Sequence, residues 1–113
     1  MVQITKKQNL VTIDILGFHK IWALKHQLRI QATDIVSVYQ DQLELDEFKG
    51  IRFGTFIPYL ITAGTFLKSG KRNFWDVMKK SNTIIVELKN NSYHKLYLQV
   101  ANPTATINLI NSK

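Results

Sequence analysis

Apolar and polar residues alternate one by one in short runs along most of this chain, and the runs are rich in valine, isoleucine, leucine and aromatics. Successive side chains of a strand point to opposite faces, so each run has one dry and one wet face. That is the signature of antiparallel sheet buried on one side. In residues 10–16, Val11, Ile13 and Ile15 share one face while Thr12 and Asp14 point the other way. Leu28 and Ile30 alternate with Gln27, Arg29 and Gln31, and after Thr33 and Asp34 the alternation resumes over residues 35–39. Residues 61–67 and 72–78 flank Lys68-Ser69-Gly70-Lys71, where Ser-Gly supplies the positive backbone angle of a tight hairpin. Residues 83–88 and 95–100 form a second hairpin around the turn Lys89-Asn90-Asn91-Ser92.

The period changes in three places. Asn102 is a good helix N-cap, Pro103 suits the first helical position, and Ala105, Ile107, Leu109 and Ile110 recur at helical spacings, which predicts one short C-terminal helix. Residues 19–25, around Trp22, read as a single helical turn rather than a short strand. Over residues 40–50 the acids Asp41, Glu44, Asp46 and Glu47 predict a solvated loop or short helix. This segment opens an irregular region that runs past Gly54 and Pro58 to about residue 59, far longer than ordinary connections and of the kind that often carries function.

At 113 residues there is room for one domain, 1–113, and one core. The absence of cysteine excludes disulfides, thiolate metal sites and a cysteine nucleophile, and suits a reducing cytoplasm. A formal net charge of +7 favours acidic partners. Near the start, Lys6-Lys7 precedes an apolar stretch, but Asp14 interrupts it and no A-x-A pattern follows, so it is read as structure. The uncharged stretch 53–67 is too short to span a bilayer and contains Gly54, Pro58 and Gly64.

Seven or eight strands in meander order, then one terminal helix, imply a strongly bent antiparallel sheet or barrel with the helix over one open end. Specific strings agree. Leu16-Gly17-Phe18-His19-Lys20-Ile21-Trp22-Ala23-Leu24-Lys25, Leu28-Arg29-Ile30 and Asp34-Ile35 resemble the opening of bacterial pleckstrin-homology-like (PH-like) proteins of uncharacterised role. Ala63-Gly64-Thr65-Phe66, Phe74-Trp75-Asp76-Val77 and Ile84-Ile85-Val86-Glu87-Leu88 resemble the second half of that family. The resemblance covers nearly the whole chain and implies a mainly β, PH-like barrel of about seven strands with a C-terminal helical cap. It implies no catalytic or ligand residues. Eukaryotic members that bind inositol phosphates carry a basic motif across the first strand pair, whereas here Lys6-Lys7 is followed by uncharged residues 8–13.

Few residues read as chemistry. His19, His26 and His94 are scattered, no H-E-x-x-H motif occurs, and the acidic segment lacks the alternating pattern and glycine of a calcium loop. Residues 64–71 superficially resemble a phosphate loop, but the spacing to Gly70-Lys71 is one too long and Arg72 stands where Ser or Thr must reach magnesium. No cofactor or metal is assigned. Trp22 and Trp75 read as core or lid packing, and Asp76 as a structural acid on the face opposite Trp75.

Two surfaces remain. Lys68, Lys71, Arg72, Lys79 and Lys80 make a basic hairpin, a candidate anion site or a solvated face, with the two ends about 20 Å apart along the strand. Phe53, Phe56, Ile57, Tyr59 and Leu60 crowd an apolar loop that folds over the barrel mouth, joins another subunit or meets a membrane. The leading expectation is a non-enzymatic, cytoplasmic binding or assembly module, homo-oligomeric. The alternative is an anion-binding protein recognising phospholipid headgroups or, ranked lower, nucleic acid.

Overall fold

Two faces of the same alternation decide the architecture. The computed structural model describes residues 2–15, 27–45, 51–57, 61–68, 70–77 and 80–111. Strands β1 (Val2–Lys7), β2 (Leu10–Ile15) and β3 (Gln27–Gln31) form one antiparallel sheet in that order. A second sheet of six strands follows, made of β4 (Ile35–Tyr39), β5 (Ile51–Ile57), β6 (Ile61–Lys68), β7 (Lys71–Val77), β8 (Thr83–Leu88) and β9 (Lys95–Gln99). Its order is β4-β8-β9-β7-β6-β5. Helices α1 (Gln42–Leu45) and α2 (Pro103–Asn111) and two 3-10 turns, Ala32–Asp34 and Lys80–Asn82, complete the described elements.

The sheets pack face to face. Val2, Ile4, Val11, Ile13, Ile15, Leu28 and Ile30 from the small sheet share one core with Phe74, Ile84, Val86, Leu88, Leu96 and Leu98 from the large one. Burial of aliphatic side chains of this size, at roughly 1.5–3 kcal/mol each, is the main driving force for the fold. Helix α2 packs against β1, β4 and β8, and Ile107 and Ile110 reach the core while Ala105 and Leu109 lie outward. Both helix ends are held. The Asn102 side-chain oxygen accepts from the Ala105 N–H at 3.1 Å, and Lys6 Nζ donates to the Ile110 carbonyl at 3.0 Å, placing a cation at the negative end of the helix.

The fold is mainly β with one short C-terminal helix, and both predicted hairpins and the helix cap are present. Three expectations change. Nine strands are described, not seven or eight. The order is not a simple meander, because β9 inserts between β7 and β8 and runs parallel to β7, with Asn73 opposite Lys95 and Asp76 opposite Leu98. The consecutive apolar residues Leu96, Tyr97 and Leu98 give β9 two dry faces, which only a central strand can bury. Among the described residues no ladder joins the two sheets, so they do not form a closed barrel.

A further correction concerns residues 40–59, which the sequence presents as irregular. Residues 51–57 are a regular strand paired one to one with β6, including Gly54 opposite Gly64. Glycine and proline punctuation suggested a loop, but the alternation on either side of Gly54 suits a strand. Phe53, Phe56 and Ile57 therefore lie on β5, opposite Thr65, Thr62 and Ile61, while Tyr59 and Leu60 lie outside the described residues. The Trp22 segment also lies outside them.

Replacing Asn102 by Ala leaves a backbone N–H of the first helical turn without its acceptor. A loss of about 1 kcal/mol in urea-unfolding stability is expected, with the sheet signal in circular dichroism retained.

Candidate anion-binding cleft

The parallel register of β7 and β9 brings two turns together. Because Asn73 stands opposite Lys95, the residues before each strand are also neighbours. The His94 N–H donates to the Arg72 carbonyl at 2.7 Å, and the His94 carbonyl accepts from the Leu88 N–H at 2.8 Å. His94 thus ties the tip of the β6–β7 hairpin to the tip of the β8–β9 hairpin. Gly70, at φ +77°, makes the first turn, and Asn90, at φ +53°, makes the second, a left-handed position that asparagine tolerates. The Asn91 side-chain oxygen then accepts from the Tyr93 N–H at 3.0 Å and closes that turn.

Between the tips lies an open cleft of about 360 Å³, bordered by Lys71, Arg72, Lys89, Asn91, Ser92 and His94. No described acidic side chain lines it. Lys71, Arg72 and Lys89 are exposed and His94 is half-buried. The Arg72 guanidinium sits 4.9 Å from the centre of the Tyr93 ring, a cation–π contact that restricts its motion. Tyr93 is itself fixed edge-on to Phe74, and its hydroxyl is 3.1 Å from Thr65 Oγ1. Burial lowers the pKa of His94, and the positive charges of Lys71 and Lys95 lower it further, with Glu87 and Glu44 opposing.

Of the five basic residues singled out in the sequence, Lys71 and Arg72 line the cleft. Lys68 stands opposite Lys71 at the same hairpin end. Lys80 begins the turn Lys80–Asn82 beyond the far end of β7, about 20 Å away at strand rise, and Lys79 is outside the described residues. Lys89 and His94 were not read as site residues, since only the β7–β9 register makes them neighbours of Arg72. Asp76 is fully buried and lines no described cleft. Among the described residues no three His, Cys, Asp or Glu side chains gather as a metal site, and no helix is long and apolar enough to cross a membrane.

Behind His94, on the opposite face of the large sheet from the main core, Glu44 accepts three hydrogen bonds. They come from Lys95 Nζ at 2.8 Å, Tyr97 Oη at 2.9 Å and Tyr39 Oη at 2.8 Å. The acidic segment forms the short helix that the sequence allows, but the helix is not fully solvated: Leu45 is 1% exposed and packs with Phe66, Trp75, Val77 and Ile85. Tyr97 stacks on Trp75 at 3.9 Å. Burial raises the Glu44 pKa, but the three donors and the charge of Lys95 outweigh it and leave the carboxyl below its ordinary value. Burial lowers the Lys95 pKa, and its bonds to Glu44 and Tyr39 reverse that to leave it raised. The charge of Lys95 is thereby matched by Glu44, whereas Lys71, Arg72 and Lys89 have no ion pair among the described residues.

Comparison of the chain with protein-family models, with curated proteins and with solved structures finds no match.

Glu44→Gln should cost about 1.5–3 kcal/mol at neutral pH, the scale of hydrogen bonds to a charged group, measured by urea unfolding. The carboxyl is depressed in the folded state, so its contribution is present above the ordinary value of 4.5 and lost as pH falls through the lower native value. Lys95 is raised, so its contribution is present below the ordinary value of 10.5 and lost as pH rises through the higher native value. The difference between wild type and Glu44→Gln should therefore be flat between these limits and shrink in acid.

Proposed function

We propose that this protein is a non-catalytic binding module on a PH-like scaffold, and that its ligand is an anionic phospholipid headgroup held between the two hairpin tips. Two sheets about one core, with a C-terminal helix packed across them, support the scaffold reading, although the parallel β7–β9 pair departs from a simple meander. The observation that carries the ligand is the convergence of Lys71, Arg72, Lys89 and His94 on one open cleft bordered by no described acid. A site at turn tips can approach a flat charged surface ahead of the strands behind it. Nucleic acid ranks lower, because stacking requires exposed aromatics beside the basic residues, whereas Phe74, Trp75 and Tyr93 are all buried. The non-catalytic reading rests on the sequence, which offers no cysteine and only scattered histidines.

The test is sedimentation with vesicles of phosphatidylcholine, with and without anionic lipid. Each basic residue near an anionic surface contributes about 1 kcal/mol, so reversing Lys71, Arg72 and Lys89 together to Glu should weaken binding on the order of a hundredfold. Unchanged binding would reject the cleft. Binding of nucleic acid with indifference to vesicles would move the ligand to the other class.

Self-association is a second reading, favoured by β5. This strand ends the described order of the large sheet, and its residues 51–57 carry Arg52 as their one charge and no acid. Such an edge is a template for pairing with another copy. Equilibrium sedimentation is expected to show a dimer that Phe56→Asp dissociates. A clean wild-type monomer refutes this reading, and a dimer indifferent to Phe56→Asp and Ile57→Asp removes β5 from the interface.

A further inference from the structure

The cleft between the hairpin tips has features that diffuse charge attraction does not need. Arg72 is held against a fixed ring, and His94 is anchored through both of its backbone groups. Asn91 and Ser92 border the same cleft as neutral polar residues. We propose that the cleft seats a single phosphomonoester group and that His94 takes up a proton from solvent as the group enters. This inference rests on the anionic-headgroup reading and narrows it to one phosphate chemistry.

The donor set is suited to a monoester. A phosphodiester carries one negative charge and two terminal oxygens, whereas a monoester carries a charge near −1.5 to −2 at neutral pH and three strong acceptor oxygens. Three permanent cations, one of them a planar guanidinium, match the second better than the first. His94 is set apart from the lysines because it can gain a charge near neutral pH. The cations whose charge acts on it are Lys71 on β7 and Lys95 on β9, while Arg72 on β7 and Lys89 on the turn border the same cleft. Glu87 on β8 and Glu44 on α1 oppose them. In the empty cleft, burial and the lysines keep the imidazole neutral to a lower pH than usual. A dianion placed among the same groups reverses the local field and favours imidazolium. Affinity must then rise as pH falls through the interval between the free and the occupied His94 pKa, and level off above it.

Inorganic sulfate separates this effect from titration of phosphate itself, because it stays dianionic throughout. Calorimetry from pH about 5 to about 8, in two buffers of different ionisation enthalpy, should show proton uptake and an affinity that rises by up to about tenfold per pH unit. His94→Gln should abolish that pH dependence, and His94→Lys should bind tightly with none. Sulfate affinity that is flat with pH in the wild type would overturn the proton coupling, as would a pH dependence that survives in either variant. On vesicles matched for surface charge, phosphatidic acid should be preferred over phosphatidylserine. Glycerol 3-phosphate should compete if the group is read free of the membrane as well, and fail to compete if the bilayer is required. Equal binding to the two lipids would overturn the monoester seat while leaving the broader headgroup reading standing. Binding to neither would sink both.

Discussion

The position of β9 governs the rest of this structure. A strand with Leu96, Tyr97 and Leu98 in succession must be covered on both faces, and it obtains that cover only by entering between β8 and β7. One face then joins the core shared with the small sheet. The other carries Tyr97 against Trp75 and presents its hydroxyl to Glu44. The same insertion sets the start of β9 beside the start of β7, which is why two turns distant in sequence share a cleft.

Charge placement follows from that geometry. Lys95 leaves β9 on the side where α1 lies, and Glu44 meets it there with two tyrosine hydroxyls as further donors. A partly buried ion pair of this kind contributes little by attraction alone, since desolvation offsets much of the gain. Losing one partner is costly, because the other is left charged and uncompensated. The pair therefore keeps a short helix seated over Trp75 and leaves the turn cations to face outward, a division that total charge does not reveal.

Elements with local causes were legible in the sequence. The turns at Gly70 and Asn90, alternating strands and an Asn-Pro helix start each depend on residues within a few positions, and the structure has them where the sequence indicates. What escaped depends on contacts far apart along the chain. Gly54 and Pro58 suggested a loop because nothing local shows that residues 51–57 have β6 to pair with. Glu44 read as solvated because its donors lie on β4 and β9. Lys71 and Arg72 were legible as a basic tip, whereas Lys89 and His94 were not, since their membership depends on a parallel register that a hairpin-by-hairpin reading does not generate.

The chain order of the large sheet also bears on how it is made. β9 follows both of its neighbours in sequence, and in the sheet β7 and β8 are joined only through it. Without β9, β7 presents an open ladder of backbone donors and acceptors beside Phe74 and Trp75. Pairing across β8 closes a larger loop than a simple hairpin does, and such non-local closures are slow. A β7 edge not yet covered by β9 is a template for intermolecular strand pairing. The β7–β9 pairing that builds the cleft is thus also the long-range closure of the large sheet.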